Sequence, residues 1–120
     1  FVDIFCGDNG IILRNNGDMT FTAHSVLPTS GSVGDVNNDG FLDVYNSNNL
    51  RINQPNGNHW IKIHLQGVQS NRNGIGARVE IYGAWGKQIR DVRSGDGFRY
   101  MSSLNTHFGI GSQTEITQVI

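Results

Sequence analysis

The sequence predicts an all-β protein, and three features carry that expectation. Apolar residues recur at every second position in short runs: Phe21 and Ala23 in "MTFTAH" (19–24), and Ile61, Ile63 and Leu65 in "HWIKIHL" (59–65), share one face of an extended strand. Sixteen glycines against two prolines, with many asparagines, suit short strands punctuated by turns. Helical periodicity is weak along the whole chain.

The elements follow in order. "FVDIF" (1–5) matches "FLDVY" (41–45), and "NGDMTFTAH" (16–24) matches "NGNHWIKIH" (56–64), both at an offset of forty residues, so the chain contains an internal repeat. Each copy reads as an acidic-apolar strand, a polar loop, an Asn-Gly turn and a second strand. Asn16 with Gly17, and Asn56 with Gly57, tolerate the positive φ that tight hairpin turns demand. After residue 58 the texture changes. "HWIKIHLQG" (59–67), "ARVEIYG" (77–83), "KQIRDVRSG" (87–95), "THFGIG" (106–111) and "EITQVI" (115–120) read as strands. Glycine-rich turns separate them at "SNRNGIG" (70–76), "GAWG" (83–86) and "SGDGF" (94–98). Two units are therefore expected, 1–57 and 58–120, the second a sandwich or barrel-like sheet pair.

The stretch "GDVNNDGFLDVYNSNN" (34–49) carries the clearest chemistry. Calcium and other hard cations take roughly six to eight oxygens, which a loop gathers only by turning sharply in its middle. Asp35, Asn37 and Asp39 offer side-chain oxygens at alternate positions, Gly40 permits the turn, Phe41 can give its carbonyl, and Asp43 can complete the shell. A helix-flanked calcium hand would place Glu at the twelfth position, where this chain has Asn46, and the residues that follow are strand formers. The plainer alternative is an Asn/Asp-rich turn whose side chains only cap backbone N–H groups. Calcium is the reading preferred. At millimolar calcium such a site adds on the order of 1 kcal/mol, so the ion is expected as a staple and not as a catalyst. The repeat makes Asp3 the equivalent of Asp43, which places the start of the first copy's loop before residue 1 and implies a fragment of a longer protein.

"DVNNDGFLDVYNSNN" (35–49), together with "LRNNGDMTFT" (13–22), resembles the FG-GAP or VCBS type of repeat, which builds β-propellers with calcium loops between strands. That resemblance implies a propeller-type fragment in which Asp35, Asn37, Asp39 and Asp43, with the Phe41 carbonyl, are calcium ligands. It also makes Asp3 the last ligand of an incomplete loop. "NHWIKIHLQGVQSNRNGIGARVEIYG" (58–83) and "VRSGDGFRYMSSLNTHFGIG" (92–111) resemble the ASPIC/UnbV domain, found after such repeats in bacterial secreted proteins and in animal cartilage acidic proteins. That family continues into a further strand and turn, so the second unit is expected to stop short at Val119 and Ile120. The resemblance brings no agreed biochemical activity with it.

Bulk properties narrow the partners. A net charge of −1 and a pI near 6.4 provide no basic field for nucleic acid or for an anionic membrane. No apolar run approaches the ~20 residues needed to span a bilayer. Cys6 is the one cysteine and cannot form an internal disulfide; a buried thiol is expected. His24, His59, His64 and His107 lack a zinc spacing, and structural or surface roles are expected for His24 and His64. "GIGARV" (74–79) lacks the third glycine and the helix of a nucleotide loop. Nothing pairs Glu80, Asp91, Asp96 or Glu115 for glycoside hydrolysis, and Ser102 and Ser103 have no recognisable base. Arg78 and Glu80 fall on one strand face and read as a charge-paired surface.

The expectation is a non-catalytic, calcium-stabilised binding or adhesion module, secreted or at the cell surface. Its protein or glycan partner is not named by the sequence, and self-association through apolar surface on residues 1–55 is expected. The alternative is a carbohydrate-binding accessory module of a secreted enzyme, with Trp60, Trp85 and Tyr100 as stacking rings; Trp60 otherwise reads as a core or inter-domain plug.

Overall fold

A computed structural model describes residues 3–6, 11–25, 31–96 and 100–120. Among the described residues the regular structure is all β, eleven strands in four small antiparallel sheets that close neither a barrel nor a propeller.

The first sheet is a meander of β1 (Ile4–Cys6), β2 (Ile11–Asn15) and β3 (Phe21–Ser25). The expected turn at Asn16 and Gly17 is present: the Asn16 N–H donates to the Thr20 carbonyl at 3.1 Å, and Gly17, at φ 87°, donates to Asn15 Oδ1 at 2.9 Å. Asp18 Oδ1 accepts both the hydroxyl and the N–H of Thr20, and these bonds hold its carboxyl below the usual range.

The second sheet comprises β4 (Ser32–Gly34), β5 (Asp43–Asn46) and β6 (Asn49–Arg51). Here the turn differs from expectation. The β5–β6 hairpin closes on Ser47 and Asn48, at φ 48° and 67°, which is the two-residue turn with both central residues left-handed. Asn56 and Gly57 lie instead in the open stretch between β6 and β7 (His59–Ile63). Gly57 keeps the positive φ expected of it, 78°, but no hairpin forms there because β7 pairs with β10 and not with β6.

A shift of forty residues brings β3 onto β7, yet the two strands behave differently. β3 pairs with β2, whereas β7 leaves its own copy and pairs with β10 (Thr106–Gly111). Burial explains the change. All five β3 residues are exposed, while Ile61 and Ile63 of β7 pack against the main core.

That core lies between the β7–β10 pair and a third unit of strands, β8 (Arg78–Gly83), β9 (Gly86–Asp91) and β11 (Gln118–Val119), ordered β11-β8-β9. Alternation puts Val79 and Ile81 of β8 inward, where they meet Phe108 and Ile110 of β10, with Leu65, Trp85 and Ile116 around them. Burying a side chain such as Phe108 completely contributes about 2–3 kcal/mol. Ala84 and Trp85 join β8 to β9, as the glycine-flanked turn predicts. The last expected strand shortens to two residues, although Ile120 still exchanges both backbone hydrogen bonds with Glu80, at 2.8 and 2.9 Å. On the outer edge of β4, the Ser103 N–H donates to the Val33 carbonyl at 3.2 Å, and the Val33 N–H donates to Ser102 Oγ at 3.2 Å. Ser102 and Ser103 thus cover an edge of the second sheet.

Candidate functional site

The period of a strand builds the site. In β7, Ile61 and Ile63 face the core, so Trp60 and Lys62 face the opposite way; in β10, His107 lies directly across from Lys62 and Gly109 across from Trp60. The outer face therefore carries one indole, one ammonium and one imidazole. The Trp60 and His107 rings stack with centroids 6.0 Å apart and planes 16° apart, and Lys62 Nζ lies 5.6 Å from the Trp60 ring centre.

Loop 35–43 is seated on this face. Lys62 Nζ donates to Asp35 Oδ2 at 2.8 Å and to Asn38 Oδ1 at 3.0 Å. His107 Nε2 lies 2.8 Å from the Gly40 carbonyl oxygen. Gly40 itself lies against the indole, and two facts make it obligatory. Its φ is 86°, and a Cβ there would fall 1.6 Å from Trp60 Nε1.

Asp35 anchors the loop from within. Its side chain is 1% exposed; Oδ1 accepts the Asp39 N–H at 3.0 Å and Oδ2 the Gly40 N–H at 3.1 Å. Burial pushes its pKa up, but the Lys62 ammonium and the Gly40 and Asp39 N–H groups outweigh that effect and hold the carboxyl below its usual range. His107 moves down as well. Burial is the main cause, helped by the positive charges of Lys62 and Arg90 and opposed by the Gly40 carbonyl and Asp35. The ring is then neutral near pH 7, with its Nε2–H donating to Gly40.

The sequence-predicted ligands divide into two groups. Asp35, Asn37 and Asp39 are brought together: the Asp39 N–H is shared between Asp35 Oδ1 at 3.0 Å and Asn37 Oδ1 at 3.3 Å, and Asn37 Nδ2 donates to Asp39 Oδ2 at 2.8 Å. Phe41 closes the turn by donating its N–H to Asp39 Oδ1 at 2.8 Å. Asp43, 1% exposed, is occupied elsewhere. Its Oδ2 accepts the Val36 N–H at 2.9 Å and its Oδ1 the Asn53 N–H at 2.8 Å. Asp3, its repeat equivalent, accepts the Asn15 N–H at 2.8 Å, so in both copies this aspartate pins backbone from the far side of the second strand.

Among the described residues no three Asp, Glu, His or Cys side chains gather into a metal-holding group. The donor chemistry of the loop nevertheless suits a hard cation: every candidate donor is an oxygen, and a carboxylate oxygen with one N–H bond keeps a second lone pair. A positive charge already stands there, the ammonium of Lys62.

Lys62 and His107 are the residues that sequence reasoning missed. The alternation in "HWIKIH" was the available signal, because it puts Trp60 and Lys62 on one face, opposite Ile61 and Ile63. The three rings considered for sugar stacking, Trp60, Trp85 and Tyr100, are all half-buried. Trp60 is wedged against Gly40, as a plug would be, and Trp85 lies over Gly83 with its Nε1 buried. His64 Nδ1 is 2.9 Å from Asn105 Oδ1, and His24 and His59 are exposed. Cys6 is a free, half-buried thiol. The charged face of β8 is paired as its alternation suggests, Arg78 with Asp91 at 2.9 Å and Lys87 with Glu80 at 3.5 Å.

Residues 67–120 match the model of the family described as ASPIC and UnbV. The match takes in β8 to β11 and begins after β7. No curated protein and no solved structure matches the chain. No helix among the described residues is long and apolar enough to cross a membrane.

Proposed function

We propose, with the match of residues 67–120 to the ASPIC and UnbV family as premise, that this chain is a non-catalytic, calcium-stabilised binding or adhesion module acting outside the cell or at its surface. In this reading residues 1–57 are a propeller-type repeat fragment of the FG-GAP or VCBS kind, and residues 58–120 are a sandwich-like unit on which it is seated. The observation that carries the proposal is the seating of loop 35–43 on the outer face of the β7–β10 pair by Lys62, His107 and Trp60. These polar groups are engaged with one another and with loop backbone, which supports a holding role over a chemical one. The match of β1 to β5 at a shift of forty residues and exposed apolar side chains such as Phe21, Tyr45, Leu50 and Ile52 support the repeat reading, since further copies would cover them.

Calcium would be held by Asp35, Asn37, Asp39, the Phe41 carbonyl and Asp43, and would neutralise loop carboxylates of which Asp35 alone meets the Lys62 ammonium. The test is calorimetry and thermal melting with and without millimolar calcium. Binding heat and a rise in Tm equivalent to about 1 kcal/mol are expected, and Asp39→Ala should abolish both. No heat and no shift in the unmodified chain would remove calcium from the proposal.

A further inference from the structure

We infer that Lys62 and calcium compete for Asp35, making Lys62 the residue that sets the loop's affinity for the ion. The inference rests on the calcium reading above and specifies how that site is regulated. Asp35 Oδ2 accepts two donors, Lys62 Nζ at 2.8 Å and the Gly40 N–H at 3.1 Å, so both of its in-plane lone pairs are used. Oδ1 accepts the Asp39 N–H and keeps one position open. An ion that engages Oδ2 must therefore expel the ammonium. An ion on Oδ1 alone would sit beside it, and the repulsion between a dication and an ammonium in a site this buried would weaken binding.

The geometry also provides for the exchange. The Asp35 side chain is 1% exposed and fixed by backbone of its own loop, whereas the Lys62 side chain is 21% exposed and ends a flexible four-carbon stem. Lys62 is thus the partner that can leave. When it does, the loop keeps its other two attachments to the sheet, the His107 bond to Gly40 and the contact of Gly40 with Trp60. The second tie of the ammonium, to Asn38 Oδ1 at 3.0 Å, is lost with it.

The chain has only two lysines, Lys62 and Lys87, so lysine labelled with carbon-13 at Cε would yield two NMR signals. Calcium should move the Lys62 signal to that of a solvated ammonium and leave Lys87, 45% exposed, in place. By calorimetry Lys62→Met and Lys62→Gln should bind calcium on the order of tenfold more tightly than the unmodified chain, while Lys62→Arg should not. Calcium binding with an unmoved Lys62 signal, or with equal affinity in the unmodified chain and the neutral variants, would overturn the competition and leave the calcium site standing. No binding in any of these proteins would overturn the site itself, and the competition with it. The NMR measurement uses the unmodified chain, so it decides the matter even where a variant fails to fold.

Discussion

His107 donates from Nε2 to the carbonyl oxygen of Gly40 across 2.8 Å, a bond that spans 67 positions of sequence and ties β10 to the bend of loop 35–43. Burial lowers the pKa of this histidine from 6.5, so the unfolded chain accepts a proton at a higher pH than the folded one. Between the two pKa values the unfolded state binds more protons, and stability must rise with pH there. Urea midpoints are therefore expected to fall as the pH drops below about 6.5, with a further fall below about 3.8, where Asp35, whose folded pKa is depressed, loses its share. His107→Gln should flatten the upper step and spare the lower one. An unchanged upper step in that variant would mean that another group carries it.

Asp35 and Lys62 form the most buried ion pair of the site. Asp35→Asn leaves the ammonium facing a neutral amide and is expected to cost about 3 kcal/mol, read from urea unfolding without calcium. Combined with Lys62→Met, it should return a coupling energy of about 1–3 kcal/mol. A coupling near zero would mean that the two side chains act independently, against the 2.8 Å contact.

Gly40 and Gly57 offer a matched comparison, with φ of 86° and 78°. At Gly57 an added Cβ meets nothing within 4 Å, so Gly57→Ala should cost only the left-handed strain of about 1–2 kcal/mol. Gly40→Ala adds the collision with Trp60 and should cost about 4 kcal/mol or more, enough to unseat the loop. Trp60 fluorescence would report the unseating separately from global unfolding. Equal losses at the two positions would show that the indole can give way.

Phe108, fully buried at the centre of the core, should cost about 3–5 kcal/mol when changed to Ala. Leu50→Ala, at a residue 48% exposed, should stay within about 0.5 kcal/mol. A large loss at Leu50 would show that the second sheet is covered in solution, as by a second copy of the chain.

The strands "ARVEIYG" and "THFGIG" were legible because alternation and flanking glycines point the same way, and β8 and β10 occupy those positions nearly residue for residue. Asn56 and Gly57 bend the chain, with Gly57 at φ 78° and the Asn58 N–H donating to Asn56 Oδ1 at 3.2 Å, but they close no hairpin because β7 pairs with β10 and not with β6, which a local signal cannot foresee. The loop was legible as a set of oxygen donors, since that depends only on residue type and spacing. What each oxygen accepts was not. The lone pairs that suit a metal equally suit the N–H groups of Val36 and Asn53, and nothing local distinguishes the two uses of Asp43. Lys62 was hidden for another reason. It reaches Asp35 only because β7 pairs with β10 and turns its polar face toward the loop, a pairing set by burial of Ile61 and Ile63 far from the motif.

The departure of β7 from its own repeat also has a kinetic side. Thr106 meets Ile63 across 43 positions, so the floor beneath the loop forms only after a long segment of chain has closed. The hairpins β2–β3 and β5–β6 need no such closure and can form on microsecond timescales. High sequence separation slows folding. The loop's own turn can thus be made early, while its seat arrives late. Asp35 is therefore expected to gain its lysine only once β7 and β10 have paired.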